Sequence, residues 1–224
     1  MPAPPPRLAV HLRTAAIIVV GTHFGVTLAS MAYASGRVGG ANAALLLRDD
    51  GKGPRTEITD ARHFVYLTNF VADLYAGRRP LPPSEAHVEL DENVTFADPA
   101  AICIGRDEVI EAFRALRLTL HPESLRAPQC VHVRPEGASI WVTYSLYQRY
   151  LGGWLTLPSL LVVQVQLKRR TDVPQSDFLV LSMQEQWNGV PLLANNILNR
   201  MVRRGNGWLS FQLTSRILPS EKSD

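Results

Sequence analysis

The run SIWVTYSLYQRY at residues 139–150 does most to decide the fold that this sequence predicts. In an extended chain, one side of this run carries Ile140, Val142, Tyr144 and Leu146, and the other side carries Trp141, Thr143, Ser145 and Tyr147. Alternation with a period of two residues is typical of a β-strand that rests one face on a core. We therefore predict a strand here.

Similar extended runs lie on both sides of this stretch. They are Cys130 to Arg134, Leu160 to Arg169 and Phe178 to Gln186. The segments between the runs carry turn signals, which are Pro135-Glu136-Gly137, Gly152-Gly153 and Asp172 to Ser176. Short apolar runs separated by such turns favour an antiparallel sheet. Pro158 has no N–H to donate, so it is expected at a bulge, an edge or a strand start.

Helical patterns precede the sheet. Apolar residues recur at helical intervals between Thr59 and Gly77, and again between Gly105 and Pro122. Two short extended pieces, His87 to Leu90 and Val94 to Phe96, lie between these helices. Helices followed by an antiparallel meander predict an α+β domain in which a curved sheet packs on N-terminal helices.

Several local motifs resemble those of a known family. They are Leu74-Tyr75-Ala76-Gly77, Val94-Thr95-Phe96-Ala97-Asp98-Pro99, the helix start at Gly105-Arg106-Asp107, and Gln184-Glu185-Gln186-Trp187. Together they resemble the nuclear transport factor 2-like superfamily in its SnoaL-like branch, over about Thr59 to Trp187. The resemblance implies a cone-shaped α+β fold with a cavity between sheet and helices. Members of that superfamily include isomerases, hydrolases, cyclases, dehydratases and binding or assembly modules, so the fold does not decide the function.

The whole chain divides into four parts by composition. Residues 1–35 are an apolar targeting or anchor segment, 36–58 a flexible linker, 59–187 the predicted domain, and 188–224 a C-terminal helix with an apolar extension. No Asp or Glu occurs between Met1 and Arg48, and the charge-free stretch from Ala15 to Ala34 is long enough for a helix to cross a hydrocarbon layer of ~30 Å. We expect a retained N-terminal membrane anchor. A mitochondrial or other organellar presequence and a cleaved secretory signal are the alternatives.

The C-terminal part predicts a helix from Pro191 to Arg204 that ends at Gly205. The apolar residues beyond it, from Trp208 to Leu218, suggest either a cover for the open end of the cone or a contact with a protein or membrane. A homodimer or larger complex is therefore expected as a partner.

Composition excludes several classes of function. The net charge of +3 is too small to indicate nucleic-acid binding. The chain has 2 Cys, Cys103 and Cys130, which cannot build a disulfide scaffold or a Cys-rich zinc site. The 6 His are scattered without metal-ligand spacing, and no phosphate-binding loop is present. We expect no metal and no cofactor, and no nucleophilic role for Cys103.

The candidate site residues follow from the cone that the resemblance implies. Asp98, His87 and Glu185 are weak candidates for an acid or base, and none of them is assigned a catalytic role. The predicted ligand-binding residues are Tyr66, Phe96, Trp141, Tyr144, Gln184 and Trp187. Because no acid–base pair stands out, we favour a non-catalytic, membrane-associated module that binds an apolar small molecule or serves as an assembly subunit. The alternative is a small-molecule enzyme of isomerase, cyclase or hydrolase type that uses a carboxylate in the cone.

Overall fold

The structure is a computed structural model, and it describes residue 25 and residues 61–76, 78, 87–169, 176–187 and 197–217. The described helices are α1 (Ala61–Tyr75), α2 (Arg106–Leu120) and α3 (Ile197–Ile217). The strands are β1 (Val88–Ala97), β2 (Ile102–Ile104), β3 (Glu123–Ser124), β4 (Gln129–Glu136), β5 (Ser139–Tyr150), β6 (Leu155–Arg169) and β7 (Ser176–Trp187). The predicted anchor at 1–35 and linker at 36–58 lie outside the described stretches.

The described strands form one curved, open sheet in the order β2-β1-β7-β6-β5-β3, and β4 also pairs with β5. Helices α1 and α2 pack on one face of this sheet, so the architecture is mixed α+β as predicted. The main core lies between these layers, and the even-numbered side chains Val142, Tyr144 and Leu146 of β5 belong to it. The strand predicted from alternation is thereby confirmed, with its predicted ends.

The meander β5-β6-β7 is antiparallel throughout. Strand β6 begins at Leu155, five residues earlier than the sequence predicts, because Leu155 to Ser159 continue the pairing with β5. Pro158 pairs with Tyr147 of β5, while the pairing with β7 begins only at Ser159. Pro158 therefore stands where β6 is still an edge on its β7 side, which agrees with one of its expected positions.

One pair in the sheet corrects the prediction of a wholly antiparallel arrangement. Strand β1 runs parallel to β7, with Val88 opposite Phe178 and Ala97 opposite Gln184. Parallel neighbours need a long crossover connection, and the chain between β1 and β7 contains α2 and the strands β2 to β6. The two extended pieces predicted before α2 are one strand, β1, whose pairing with β7 is irregular between Leu90 and Thr95.

Helix α3 also differs from the prediction. Gly205 was expected to end it, but the helix continues to Ile217. The physical reason lies two residues further on, at Gly207, where a Cβ atom would stand 2.1 Å from the carbonyl oxygen of Ile102. Gly207 therefore allows α3 to lie directly against β2, and Gly205 is an ordinary position within the continuous helix. The predicted start at Pro191 lies outside the described residues.

None of the described helices is both long and apolar enough to cross a membrane.

Candidate functional site

A cavity of about 60 Å³ lies where the ends of β1 and β7 meet α2. Its walls are formed by Phe96, Asp98, Ala100, Ala101, Ala112, Phe113, Ala115, Leu116, Thr119, Leu120, Tyr150, Glu185, Trp187 and Ser210. One ordered water needs about 10–15 Å³, whereas pockets for drug-sized ligands measure about 300–1,000 Å³. The cavity therefore suits a few waters or a compact molecule of a few non-hydrogen atoms.

An irregularity in β7 decides which of its side chains face this cavity. Val180 and Ser182 pair with consecutive residues of β6, so Leu181 between them is an extra residue. Such a bulge shifts the alternation of a strand by one position. As a result Glu185 is buried at the cavity wall, while Gln184 is exposed.

Glu185 is the most enclosed acid of the site, with 5% of its surface exposed. Its Oε2 atom accepts a hydrogen bond from the Tyr75 hydroxyl at 2.7 Å, and its Oε1 atom accepts one from the Ser159 hydroxyl at 2.7 Å. The pKa of Glu185 is raised to about 7, mainly by burial and also by the charge of Asp98, although the hydrogen bonds from Ser159 and Tyr75 oppose the shift. Glu185 therefore exchanges its proton near neutral pH.

Asp98 follows β1 and holds the turn into β2. Its Oδ1 atom accepts hydrogen bonds from the backbone N–H groups of Ala100 at 2.7 Å and Ala101 at 2.6 Å. Burial raises the pKa of Asp98 to about 6, although both backbone hydrogen bonds and the positive charge of Arg203 on α3 lower it. The carboxyl thus serves as a turn cap and also faces the cavity.

Two buried tyrosines surround these acids. Burial raises the pKa of both Tyr75 and Tyr150 well above the usual value, and the nearby charge of Glu185 raises both further. Both hydroxyls therefore keep their protons and act as donors, Tyr75 to Glu185 and Tyr150 to the Oε1 atom of Gln148. The site holds its polar groups in a fixed network.

Trp187 closes the end of β7 with 3% of its surface exposed. Its indole N–H is buried and meets no acceptor at ideal hydrogen-bond geometry, but it lies close enough to the Glu185 carboxyl to help lower the pKa of that group as a donor. Glu185 is therefore the neighbouring acceptor of this buried donor.

Of the residues proposed from the sequence, Asp98, Glu185, Phe96 and Trp187 line the cavity together. The other candidates lie elsewhere. His87 stacks on Tyr66 with ring centroids 4.1 Å apart, away from the cavity wall.

The two remaining aromatic candidates occupy other parts of the sheet. Tyr144 is fully buried in the main core, where its hydroxyl oxygen accepts a hydrogen bond from Thr68 at 3.4 Å. Trp141 lies on the opposite face of β5, under the guanidinium of Arg134 at 5.9 Å. A ligand-binding role for Tyr66, Trp141, Tyr144 or Gln184 stays a prediction, since none of them lines this cavity.

The sequence did not indicate Tyr75 or Ser159 as site residues. Tyr75 was counted among the apolar residues of α1, and Ser159 precedes the predicted start of its strand at Leu160. Alternation along β6 would have placed Ser159 on the inner side with Leu161 had the strand been extended through Pro158.

In the part of the chain that the structure describes, no three His, Cys, Asp or Glu residues lie close enough to hold a metal ion. Cys103 is buried, and burial raises the pKa of its thiol far above the usual range. A thiol in this state is a poor nucleophile.

No protein-family model and no curated protein matches this sequence. Solved structures of similar shape include a ketosteroid isomerase-like protein from Erwinia carotovora atroseptica, with 9% identity and a TM-score of 0.43 over 59% of this chain and 97% of that one. A SnoaL-like family protein from Agrobacterium tumefaciens has 10% identity and a TM-score of 0.36 over 57% of this chain and 98% of that one.

A protein of unknown function from Mycobacterium tuberculosis is similar over 72% of this chain and 93% of its own, with 9% identity and a TM-score of 0.42. The structural neighbours thus include ketosteroid isomerase-like and SnoaL-like proteins, which belong to the superfamily that the sequence resembles. At these identities no activity of this chain is argued from the likeness.

Proposed function

We propose that this chain is a small-molecule-binding module whose ligand occupies the cavity at the ends of β1 and β7. The observation that carries the proposal is the buried carboxyl of Glu185, which Tyr75 and Ser159 fix at the cavity wall. Ionisable groups with pKa values moved this far by burial concentrate at binding and catalytic sites.

The bonding of the two acids suits the recognition of a ligand. Each oxygen of Glu185 accepts a hydrogen bond from a hydroxyl group, and one oxygen of Asp98 accepts two from backbone N–H groups. These contacts hold the carboxyls still beside the apolar walls formed by Phe96, Phe113 and Leu116. Each oxygen of Glu185 keeps a second lone pair for a donor of the ligand.

The test is to fill the cavity and measure binding. Ala115 lines the cavity on α2, so Ala115→Leu adds three carbon atoms to the space where the ligand is expected. Ala138 is exposed in the turn before β5, and Ala138→Leu adds the same bulk away from the site. A panel of neutral, cationic and anionic molecules of about four to seven non-hydrogen atoms is screened by saturation-transfer NMR.

We expect at least one probe to bind the wild-type chain and Ala138→Leu, and its signal to fall at least tenfold with Ala115→Leu. The proposal fails if no probe binds the wild-type chain. It fails equally if Ala115→Leu, folded as judged by its spectrum, binds each probe as well as Ala138→Leu does.

A second candidate is an acid–base enzyme, and the pKa of Glu185 near 7 favours it. A group with this pKa can both take and give a proton at neutral pH. Under this alternative Glu185→Gln abolishes turnover of a bound probe while leaving its affinity within about tenfold. Under the binding proposal no probe is converted by either protein, as followed by NMR of the probe over several hours.

The location of the protein is also a proposal. We propose that residues 1–48 direct it to a membrane or an organelle, which the lack of Asp and Glu there and the charge-free stretch support. A soluble fluorescent protein fused to residues 1–48 should accumulate at a membrane or an organelle. The same protein fused to residues 36–58 alone should stay diffuse. A diffuse signal from the first fusion contradicts the proposal.

A further inference from the structure

Glu185 is a buried acid without a positively charged neighbour in the part of the chain that the structure describes. It makes no ion pair there, and the described residues that line the cavity with it include no Lys, Arg or His. The charge that acts on it is the negative charge of Asp98. Charged groups inside a protein are normally paired with an opposite charge. The counter-ion of this carboxylate is therefore to be sought in the ligand.

Asp98 lines the same cavity but does not have the same need. Its Oδ1 atom accepts hydrogen bonds from the backbone N–H groups of Ala100 and Ala101, and the positive charge of Arg203 lowers its pKa. The charge of Asp98 is thus partly compensated by the protein itself. Glu185 is the acid whose charge a ligand would balance, and an anionic ligand would be repelled in this space of low dielectric constant.

The hydrogen bonds at the cavity wall also call for a ligand that donates. Three of the polar hydrogens there are already engaged: the Thr119 hydroxyl donates to a backbone carbonyl of α2 at 2.7 Å, the Tyr150 hydroxyl donates to a side chain of β5, and the indole N–H of Trp187 is buried beside Glu185. By contrast, each carboxyl oxygen of Glu185 keeps one lone pair that no hydroxyl occupies. Free acceptors therefore meet the ligand at this carboxyl.

A bare metal ion does not match these walls. Ca²⁺ and Mg²⁺ take six or more oxygen ligands, whereas no three His, Cys, Asp or Glu residues gather at one point of the described chain. Much of the remaining wall is apolar and includes Phe96, Phe113 and Leu116. An alkyl group fits against such side chains better than a hydrated ion does.

Resting on the proposed binding function, we infer that the cavity recognises a primary ammonium group on a short alkyl chain, for which Glu185 is both the counter-ion and the hydrogen-bond acceptor. A primary ammonium combines one positive charge with three N–H donors in a compact group. Its alkyl chain would rest on Phe96, Phe113 and Leu116, and the volume of about 60 Å³ admits a chain of only a few carbon atoms.

The ligand and a proton compete for the same carboxylate, so the affinity depends on pH. The described polar groups that act on Glu185, directly or through Asp98, are Asp98 after β1, Tyr75 on α1, Tyr150 on β5, Ser159 on β6, Trp187 on β7 and Arg203 on α3. Helix α2 lines the cavity without a titratable side chain, and both tyrosines stay protonated at neutral pH. Burial raises the pKa of Glu185 to about 7, so its ionised fraction rises about tenfold between pH 6 and pH 8.

Four probes of about four or five non-hydrogen atoms test the inference: propylammonium, 1-propanol, propionate and tetramethylammonium. The second lacks the charge, the third carries the opposite charge, and the fourth is a cation without an N–H donor. Each is titrated into the full-length chain at pH 8 and at constant ionic strength, and its affinity is measured by saturation-transfer NMR. The net charge of the chain is +3, so a non-specific attraction would favour propionate.

We expect propylammonium to bind with an affinity on the order of millimolar, at least tenfold tighter than the other three probes. Its affinity should fall about tenfold from pH 8 to pH 6, where propylammonium itself stays protonated. Glu185→Gln should weaken it at least tenfold and remove this pH dependence. Asp98→Asn is the matched control and should leave the affinity at pH 8 intact. If Glu185→Gln does not fold, the four probes and the pH profile of the wild-type chain decide.

Tighter binding of 1-propanol, propionate or tetramethylammonium overturns the inference, and so does an affinity for propylammonium that stays constant from pH 6 to pH 8. An equal loss in Asp98→Asn and Glu185→Gln overturns the assignment to Glu185. If propylammonium does not bind while another probe binds the wild-type chain and is lost in Ala115→Leu, the ammonium inference is wrong and the binding proposal stands. If no probe of any class binds, both fail.

Discussion

The molecule has two apolar clusters of very different size. The larger fills the space between the sheet and the helices α1 and α2, and its most buried members include Leu67, Leu161 and Val163. The smaller consists of Ala100, Leu120, Tyr150, Leu157 and Trp187. The candidate cavity lies between the two clusters, because Phe96 and Phe113 of the larger one and Leu120, Tyr150 and Trp187 of the smaller one line it. The comparison teaches that the larger cluster packs the sheet against the helices, whereas the smaller one closes one side of the cavity.

The two clusters are also closed by different forces. Apolar side chains of α1 and α2 cover the larger one. Polar contacts hold α3 over the smaller one: Asn206 donates to the carbonyl of Ala100 at 2.8 Å, and Arg204 pairs with Glu108 at 2.9 Å. Such contacts depend on geometry and charge more than on area, so the smaller cluster should respond to changes that leave the larger one intact.

The largest effect on stability is expected when a buried side chain of the larger cluster is shortened. Leu161 on β6 has no exposed surface, and Leu161→Ala should lower the free energy of unfolding by about 2–5 kcal/mol, because the cavity left behind cannot be refilled. Leu167 on the same strand is 46% exposed, and Leu167→Ala should cost less than about 1 kcal/mol. Urea unfolding measures both. Equal losses would contradict the division into two clusters.

Two glycines of α3 test its packing with effects of opposite sign. Gly207→Ala places a Cβ atom 2.1 Å from the carbonyl oxygen of Ile102, which should displace α3 and cost about 1–3 kcal/mol. A Cβ at Gly205 meets nothing within 4 Å, so Gly205→Ala should stabilise the helix by about 0.5–1 kcal/mol. Thermal unfolding and hydrogen exchange along α3 report both. A stabilising Gly207→Ala would show that α3 does not lie against β2.

The acids predict an unusual dependence of stability on pH. Burial raises the pKa of Glu185 in the folded protein to about 7 from the ordinary value of 4.5, so its contribution is complete below about pH 4.5 and is lost as pH rises through about 7. Burial raises the pKa of Asp98 to about 6, so this acid also makes the free energy of unfolding fall as the pH rises. The free energy of unfolding should therefore fall by about 1–3 kcal/mol between pH 5 and pH 8.

Glu185→Gln should remove a large part of that fall, as measured by urea unfolding at each pH. Glu92 is exposed on β1, and Glu92→Gln should leave the pH profile of the wild-type chain unchanged. If the free energy of unfolding of the wild-type chain rises from pH 5 to pH 8 instead, burial does not raise the pKa of either acid.

The smallest effect is expected at Asp98 itself. Asn can still accept the backbone hydrogen bonds of Ala100 and Ala101, so Asp98→Asn should change the free energy of unfolding by no more than about 1 kcal/mol and leave probe binding intact. Asp91 accepts a hydrogen bond from the N–H of Asn93 at 2.8 Å in the irregular middle of β1, and Asp91→Asn is the matched control. Loss of a measured turnover in Asp98→Asn alone would assign Asp98 a chemical role.

The sequence predicted the elements that local periodicity defines. The alternation in β5 and the helical repeat of α2 reflect residues that are close in the chain, so both elements appear near their predicted bounds. The parallel pairing of β1 with β7 depends on partners far apart in the sequence, and no local pattern indicates it. Strand β2 pairs with β1 across a short turn, but its three residues are too few to show a period. Gly207 shows a further limit, because the sequence does not distinguish a glycine that ends a helix from one that permits a close approach.

The candidate site divides in the same way. Asp98 and Glu185 stood out because acids near strand ends are visible in a sequence, and the structure brings them to one cavity. The hydroxyls that hold Glu185 come from α1 and β6, and the contact with Tyr75 spans 110 positions of the chain. Only the assembled sheet reveals that partnership.

The parallel pairing of β1 with β7 sets an order of events during protein synthesis. A ribosome delivers β1 long before β7, so until nearly the whole domain has emerged the three-residue strand β2 is the one partner that β1 has in the described sheet. The meander β4 to β7 consists of neighbouring hairpins and can form first, since local contacts need little loop closure. The cavity needs the ends of both β1 and β7, and it is therefore among the last features to be assembled. A nascent or truncated chain that lacks β7 therefore lacks this cavity, however well its early helices have formed.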